Sequence, residues 1–133
     1  MNRKRAVVVI TLWGKKVLLV KKGEEPWTKL SGQWALPAET LEFGEDDTDA
    51  IHRGVQEETN LVVAHLLYLA DTLSYGNTEI GWYACIAQNP EEAKAGSDAV
   101  EVGWYSSGDV ISIYGNLPSH PLADKVIEFL KAV

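Results

Sequence analysis

Cysteine is almost absent. Cys85 is the single one in a chain of 133 residues, which excludes an intrachain disulfide framework and a zinc site built on several cysteines. A chain without disulfides suits a reducing compartment, so a cytoplasmic location is expected. Positive charge is scarce too: 12 Lys and Arg stand against 19 Asp and Glu, a formal net charge of −7. That balance argues against nucleic acid and anionic membrane as partners. A phosphorylated small molecule stays possible, because a divalent cation can bridge two anionic partners. Long apolar runs are missing as well, and no stretch is long enough for a transmembrane helix. The opening MNRKRAVVVITLW sets basic residues before an apolar run, as a signal peptide does. The run is short, Gly14-Lys15-Lys16 ends it and no small-residue cleavage site follows, so a first strand is the expected reading. There is no internal repeat, low-complexity segment or Pro/Ser linker, and a single domain over residues 1–133 is expected.

What is present alternates between strand and helix patterns. AVVVITLW is β-branched and continuous, as in a strand buried on both faces. GKK turns the chain into VLLVKK, giving a hairpin. Residues 23–33 read as a loop, and WALPA as a short strand stopped by Pro37. From Asp46 to Thr59 the period becomes helical, with acid at the start, an apolar stripe of Thr48, Ile51 and Val55, and Asn60 as a left-handed cap. LLYLADTLSY and TEIGWYACIA flank a Gly-Asn turn. Residues 88–98 form an acidic loop, AVEVGWYS is a last strand, and PLADKVIEFLKAV is an amphipathic helix with Leu122, Val126, Phe129 and Leu130 inward. Strands interleaved with two helices at this length predict an α/β fold, a mixed sheet covered by helices on its faces.

One segment stands apart. LPAETLEFGEDDTDAIHRGVQEETNL, residues 36–61, carries Glu39, Glu42, Glu45, Asp46, Asp47, Asp49, Glu57 and Glu58 against one Arg and one His. A surface helix would intersperse lysines at four-residue spacing. The apolar residues Leu36, Leu41, Ile51, Val55 and Leu61 argue against disorder. On a helical wheel Ala50, Gly54, Glu57 and Glu58 share a flank, next to the apolar one. Glu42 and Glu45 arrive from the preceding loop. Hard oxygen donors converging on one place suit magnesium or manganese. The plainer alternative is a solvated acidic face.

The segment resembles the signature of the Nudix hydrolases: Gly, five residues, Glu, seven residues, Arg-Glu-aliphatic, any residue, Glu-Glu, any residue, Gly-aliphatic. Laid from position 39, Glu45, Arg53, Val55, Glu57, Glu58 and Leu61 match. GQWALP and EFGE are also similar to that family. Asn60 and Glu39 stand where the signature has glycine, and Gly54 where it has glutamate. The resemblance implies a Nudix-type α/β/α sandwich and hydrolysis of a pyrophosphate bond in a nucleoside diphosphate linked to another moiety. It implies Mg2+ or Mn2+ held by Glu57, Glu58, the carbonyl of Ala38 and Glu45, with Arg53 orienting a glutamate. It also implies a nucleotide-type substrate, and dimers are common among its members.

With Gly54 lacking a carboxylate, two expectations exist for the general base. Glu39 gains in the loop the acid that the helix loses. Alternatively, Glu92, Asp98 or Glu101 supplies it from the later loop and strand. AGSDAVEVGWYS resembles a stretch in ADP-ribose-type members, which makes an ADP-ribose-like substrate the leading expectation and Asp98 a binding residue. Trp27, Trp34, Tyr75, Trp82 and Trp104 are candidate stacking faces for a base, Trp34 and Trp27 foremost. Each functional role has a bland counterpart: Arg53 pairing with Glu57 at the surface, Trp34 and Trp104 in the core, Cys85 inert, and Lys15, Lys16, Lys21 and Lys22, candidates for steering phosphate, as edge and turn lysines. A binding or sensor module that kept the shape and lost strong catalysis is the alternative function, and a purely structural interaction domain is a third.

Overall fold

The computed structural model describes residues 4–23, 32–74, 76–118 and 120–133. Trp27 and Tyr75, and most of the loop expected at 23–33, lie outside them. The described chain folds as β1 (Arg5–Trp13), β2 (Lys16–Lys22), β3 (Trp34–Ala35), β4 (Ala38–Thr40), α1 (Asp47–Thr59), β5 (Val63–Leu73), β6 (Glu79–Ala87), β7 (Ala99–Ser106), α2 (Ser107–Gly115) and α3 (Asp124–Ala132), with a 3-10 turn at Pro90–Glu92.

The β1–β2 hairpin forms, with Leu12 opposite Val17. Its arms then part. The N-terminal half of β1 pairs antiparallel with β4, and β6 lies parallel along the other edge of β1 from Arg5 to Leu12. β2 pairs antiparallel with β3 and β7. The mixed sheet of the sequence reading is therefore present, in the order β3-β2-β1-β6-β5 with β4 on β1 and β7 on β2.

Alternation along β1 sets the two layers. Val7 and Val9 face α1, packing with Leu18, Ala50, Ile51, Val55 and Leu61. Ile10 faces the other way and packs with Val17, Leu19, Val110, Val126 and Leu130 under α2 and α3. Helices thus cover both faces, the α/β/α sandwich. Among the described residues no helix is long and apolar enough to cross a membrane.

Three local readings need correction. The WALPA strand is shorter than read: it stops at Ala35, before Pro37, and a separate strand pairs with β1 from Ala38. Thr48 is exposed; the apolar flank of α1 is Ala50, Ile51, Gly54 and Val55. The sequence reading has two helices, and α2 makes a third. Its start was encoded: Ser106 caps it, accepting the Asp109 amide at 3.1 Å. Gly108, Gly115 and several β-branched residues hide the helical signal.

Candidate functional site

α1 is fixed at both ends. Asp46 caps its start, accepting the Asp49 amide at 2.8 Å, while the Asp49 carboxylate accepts the Asp46 amide at 3.4 Å. Arg5 of β1 donates to Asp47 twice, at 2.7 and 2.6 Å, and the Tyr83 hydroxyl donates to it at 2.5 Å. The Arg5 guanidinium holds the Asp47 carboxyl below its ordinary range. Asn60 ends the helix in the left-handed region at φ 62°, as the sequence implied.

Arg53 gathers the loop acids. Its Nε and Nη2 donate to the two carboxylate oxygens of Glu45, both at 2.7 Å. Nη2 also reaches the Thr40 carbonyl at 3.2 Å. Nη1 lies 3.1 Å from Glu39, 3.5 Å from Glu57 and 3.6 Å from Glu42. The fork on Glu45 is the dominant contact, so Arg53 is more than a four-residue helix pair. Those bonds push the Glu45 carboxyl down to about 2. Glu45 also accepts the Glu42 amide at 2.7 Å. With both oxygens committed, Glu45 anchors Arg53, a role that departs from the metal ligation expected of it.

Glu57 and Glu58 part company, against the shared flank of the wheel. Successive helical residues differ by about 100° around the axis. Glu58 points inward and is 3% exposed, whereas the Glu57 side chain is 52% exposed. Glu58 Oε2 accepts from the Lys22 ammonium at the end of β2. Its Oε1 is buried without a hydrogen-bond partner, the single such side-chain atom among the described residues. Leaving a carboxylate oxygen so costs about 1–3 kcal/mol or more. Burial pushes the Glu58 carboxyl up to about 7 against the pull of Lys22, and Asp98 and Glu39 add to the rise.

The 88–98 loop docks on the end of α1. The Gly96 amide donates to the Glu58 carbonyl at 2.9 Å, and the Lys94 amide to that of Thr59 at 2.9 Å. A Cβ at Gly96 would stand 2.5 Å from the Glu57 carbonyl oxygen, so glycine permits the approach. This docking carries Asp98 to 3.5 Å from Lys22. Glu92 lies in the 3-10 turn, exposed, where its carbonyl accepts from the Asn60 side chain at 3.2 Å.

Glu101 is on the wrong face to join them. It is paired in register with Lys21, 3.5 Å away. Residues 101, 103 and 105 share one side of β7, and Tyr105 packs on the α2–α3 side, while Val102 and Trp104 pack on the α1 side. The expectation that Glu101 serves the acid cluster therefore fails on strand alternation.

Glu39 does join them. It pairs with Val7 of β1 and shares its face, under α1. Its backbone is not left-handed, so nothing there calls for glycine. A Cβ added at Gly54 would lie 2.8 Å from both Cβ and Cγ of Glu39 and 3.0 Å from its Oε2. The two departures from the signature are thus one spatial exchange: the Glu39 side chain stands where a residue-54 side chain would begin.

Ala38 adds a main-chain oxygen. Val9 donates to the Pro37 carbonyl and Leu41 to that of Arg5, at 3.0 Å each. The antiparallel alternation then turns the Ala38 N–H and C=O away from β1. Ala38, Glu39, Gly54 and Glu58 line one crevice, too narrow as it stands for a water molecule. Among the described residues no three His, Cys, Asp or Glu side chains converge at metal-ligand spacing. The donor chemistry fits a hard divalent ion, with one buried carboxylate oxygen awaiting a partner, and Lys22 occupies the adjacent oxygen.

Ala38 also borders a cavity of about 600 Å3 on the opposite face, between β1, β5, β6 and the α2–α3 segment. Val8, Leu36, Ile80, Trp82, Tyr114 and Leu122 give it a mostly apolar wall. Tyr114 is set by accepting the Leu36 amide at 2.8 Å, and Trp82 by donating to Thr72 at 2.8 Å. Trp34 is not in this wall. It packs edge-on against Tyr105, centroids 5.2 Å apart, which favours its bland reading, and Trp104 packs likewise on Trp13. Sequence reasoning missed Tyr114 and Leu36, and it favoured an edge-lysine reading for Lys22. A lysine directly after four buried aliphatic residues, Val17 to Val20, was the available signal for Lys22.

The family model described as the NUDIX domain matches residues 2–128. No curated protein matches the chain significantly. Among solved structures, a Nudix hydrolase from Nitrosomonas europaea superposes with TM-score 0.77 at 21% identity, over 98% of this chain and 72% of that one. An ADP-ribose pyrophosphatase from Streptococcus suis gives 0.75 at 21% identity, over 98% and 92%. A bifunctional NMN adenylyltransferase/ADP-ribose pyrophosphatase from Francisella tularensis, complexed with AMP and a manganese ion, gives 0.66 at 22% identity, over 98% and 42%. At these identities the superpositions speak to the fold.

Proposed function

The chain belongs to the Nudix family of hydrolases, and from that premise we propose that it uses Mg2+ or Mn2+ to hydrolyse the pyrophosphate bond of a nucleoside diphosphate linked to another moiety, an ADP-ribose-like compound foremost. One observation carries the reading. Glu58, 3% exposed with an unpartnered oxygen, lies in a crevice that shares Ala38 with the 600 Å3 apolar cavity.

The residues divide the work as follows. Glu58, Glu57 and the Ala38 carbonyl would hold the ion, a hard oxygen set. When bound, it neutralises diphosphate charge and lowers the pKa of a coordinated water. Arg53, clamped by Glu45, holds Glu39 and Glu57 in place by charge-assisted bonds. Glu39, filling the space that Gly54 leaves, takes the proton of the attacking water as general base. The apolar cavity receives the nucleoside, with Trp82 and Tyr114 as the aromatic wall. Asp98 stays near the phosphates through Lys22.

Incubation of the purified chain with Mg2+ or Mn2+ and a panel of ADP-ribose, nucleoside di- and triphosphates and dinucleoside polyphosphates tests this. Metal-dependent release of AMP from ADP-ribose above the other compounds is expected. Release that persists in Glu58→Gln would contradict the reading.

A binding or sensor module is the second reading. Gly54 and the absence of three converging acids among the described residues favour it. Saturable nucleotide binding without metal-dependent turnover of any panel member would support it over hydrolysis.

A further inference from the structure

Lys22 is the last residue of β2, and its side chain is only 16% exposed. The β2–β7 ladder shifts register at this point: Lys21 faces Glu101 but Lys22 faces Ala99, so one residue of β7 is skipped. Such a bulge re-aims the strand locally. Lys22 points to the α1 face, where its ammonium contacts Glu58 Oε2 and lies 3.5 Å from Asp98. Neighbouring Lys21, on the opposite face, meets the exposed Glu101.

The ammonium therefore shares a buried carboxylate with the position proposed for a divalent ion. Two cations on one carboxylate repel, and the low dielectric around a buried carboxylate screens that repulsion little. Lys22 satisfies only one oxygen; Glu58 Oε1 is left without a partner. An ion taking Glu58 must push the ammonium outward, in the direction that Asp98, 54% exposed, marks. A displaced ammonium in a half-buried setting needs a new anion, and lysine binds phosphate as a point charge. The incoming diphosphate supplies one.

We propose that Lys22 is an internal counter-cation on Glu58, displaced jointly by the divalent ion and a substrate phosphate, so that it couples the binding of the two. The inference rests on the metal site proposed above. Without a diphosphate, Lys22 opposes the ion. With one, Lys22 transfers to a phosphate oxygen and the opposition becomes an attraction. Linkage makes the effect reciprocal: each ligand tightens the other by the same factor.

The test measures Mn2+ affinity of the full chain by calorimetry, with and without methylenediphosphonate, corrected for Mn2+ held by free diphosphonate. Lys22→Met is expected to bind Mn2+ alone more tightly, on the order of tenfold, and the enhancement by diphosphonate is expected to shrink correspondingly. Lys22→Arg, which keeps the charge, and Lys21→Met, which removes one from the other face, should stay near wild type. Equal or weaker Mn2+ binding by Lys22→Met would overturn the inference and leave the metal site standing. No saturable Mn2+ binding by the wild type would overturn both.

Should Lys22→Met fail to fold, the wild type answers by 15N NMR of the lysine ammonium groups. The Lys22 signal, identified by its loss in Lys22→Arg, is expected to move when Mg2+ and diphosphonate are added together. A signal unmoved at saturation would overturn the proposal.

Discussion

Glu39 and Gly54 occupy one space: the glutamate's Cβ and Cγ lie 2.8 Å from where a Cβ on residue 54 would stand. A strand residue and a helix residue, 15 positions apart in the chain, have exchanged bulk. The exchange leaves an acid at the crevice although the helix presents none at position 54.

This packing reverses an ordinary rule. Gly→Ala inside a helix normally stabilises by about 1 kcal/mol. Gly54→Ala is expected to destabilise, by about 1–3 kcal/mol as in other overpacked sites. In a Glu39→Gly background the same change is expected to stabilise. Urea unfolding of the four variants forms the cycle that reads the coupling. Additive effects would show that the two side-chain sites do not contend.

Catalysis should follow the same exchange. Glu39→Gln is expected to abolish metal-dependent turnover while leaving the fold intact by circular dichroism. Glu39→Gly combined with Gly54→Glu moves the carboxylate back onto the helix and is expected to recover part of the lost rate. Full activity in Glu39→Gln would remove the residue from the mechanism.

The later acids separate by face. Glu101→Gln is expected to retain the wild-type rate at saturating metal, since Glu101 pairs with Lys21 on the far side of the sheet. Asp98→Asn, which removes the outer partner of Lys22, is expected to change KM more than kcat. A large loss of kcat in Glu101→Gln would contradict the strand assignment of its role.

The Arg53–Glu45 fork makes a pH-dependent contribution. The folded-state carboxyl of Glu45 lies at about 2, below the 4.5 of an unperturbed group. Its stabilisation is therefore complete above about pH 4.5 and is lost as pH falls towards 2. The difference in melting temperature between wild type and Glu45→Gln is expected to be largest above pH 4.5 and to shrink below it. A difference that stays constant down to pH 2 would contradict the fork.

Much of this was legible in the sequence. The succession of strands along the chain, the limits of α1 and the acid spacing rest on local signals that the chain states outright: β-branched runs, acid at the start of the helix, Asn60 at its end. What was not legible depends on partners distant in sequence. Glu57 and Glu58 look equivalent as neighbours, and only packing against β1 and β2 sends one inward to Lys22. Lys22 read as an edge lysine because its target is 36 residues away. Glu101 looked as close as Asp98 until the register with Lys21 assigned its face. α2 was missed because its cap was present but its body is rich in β-branched residues and glycine, and tertiary packing of Val110 and Tyr114 overrides propensity. The apolar cavity joins β1, β5, β6 and the α2–α3 segment, which no linear window contains.

The central claim is that Glu58 grips a divalent ion in the crevice it lines with Ala38, Glu39 and Gly54. Titration of the metal-free chain with Mn2+, followed by water-proton relaxation with methylenediphosphonate present, tests it most directly. Saturable binding in the wild type that disappears in Glu58→Gln is the expected result; equal binding in both, or none in the wild type, would contradict it.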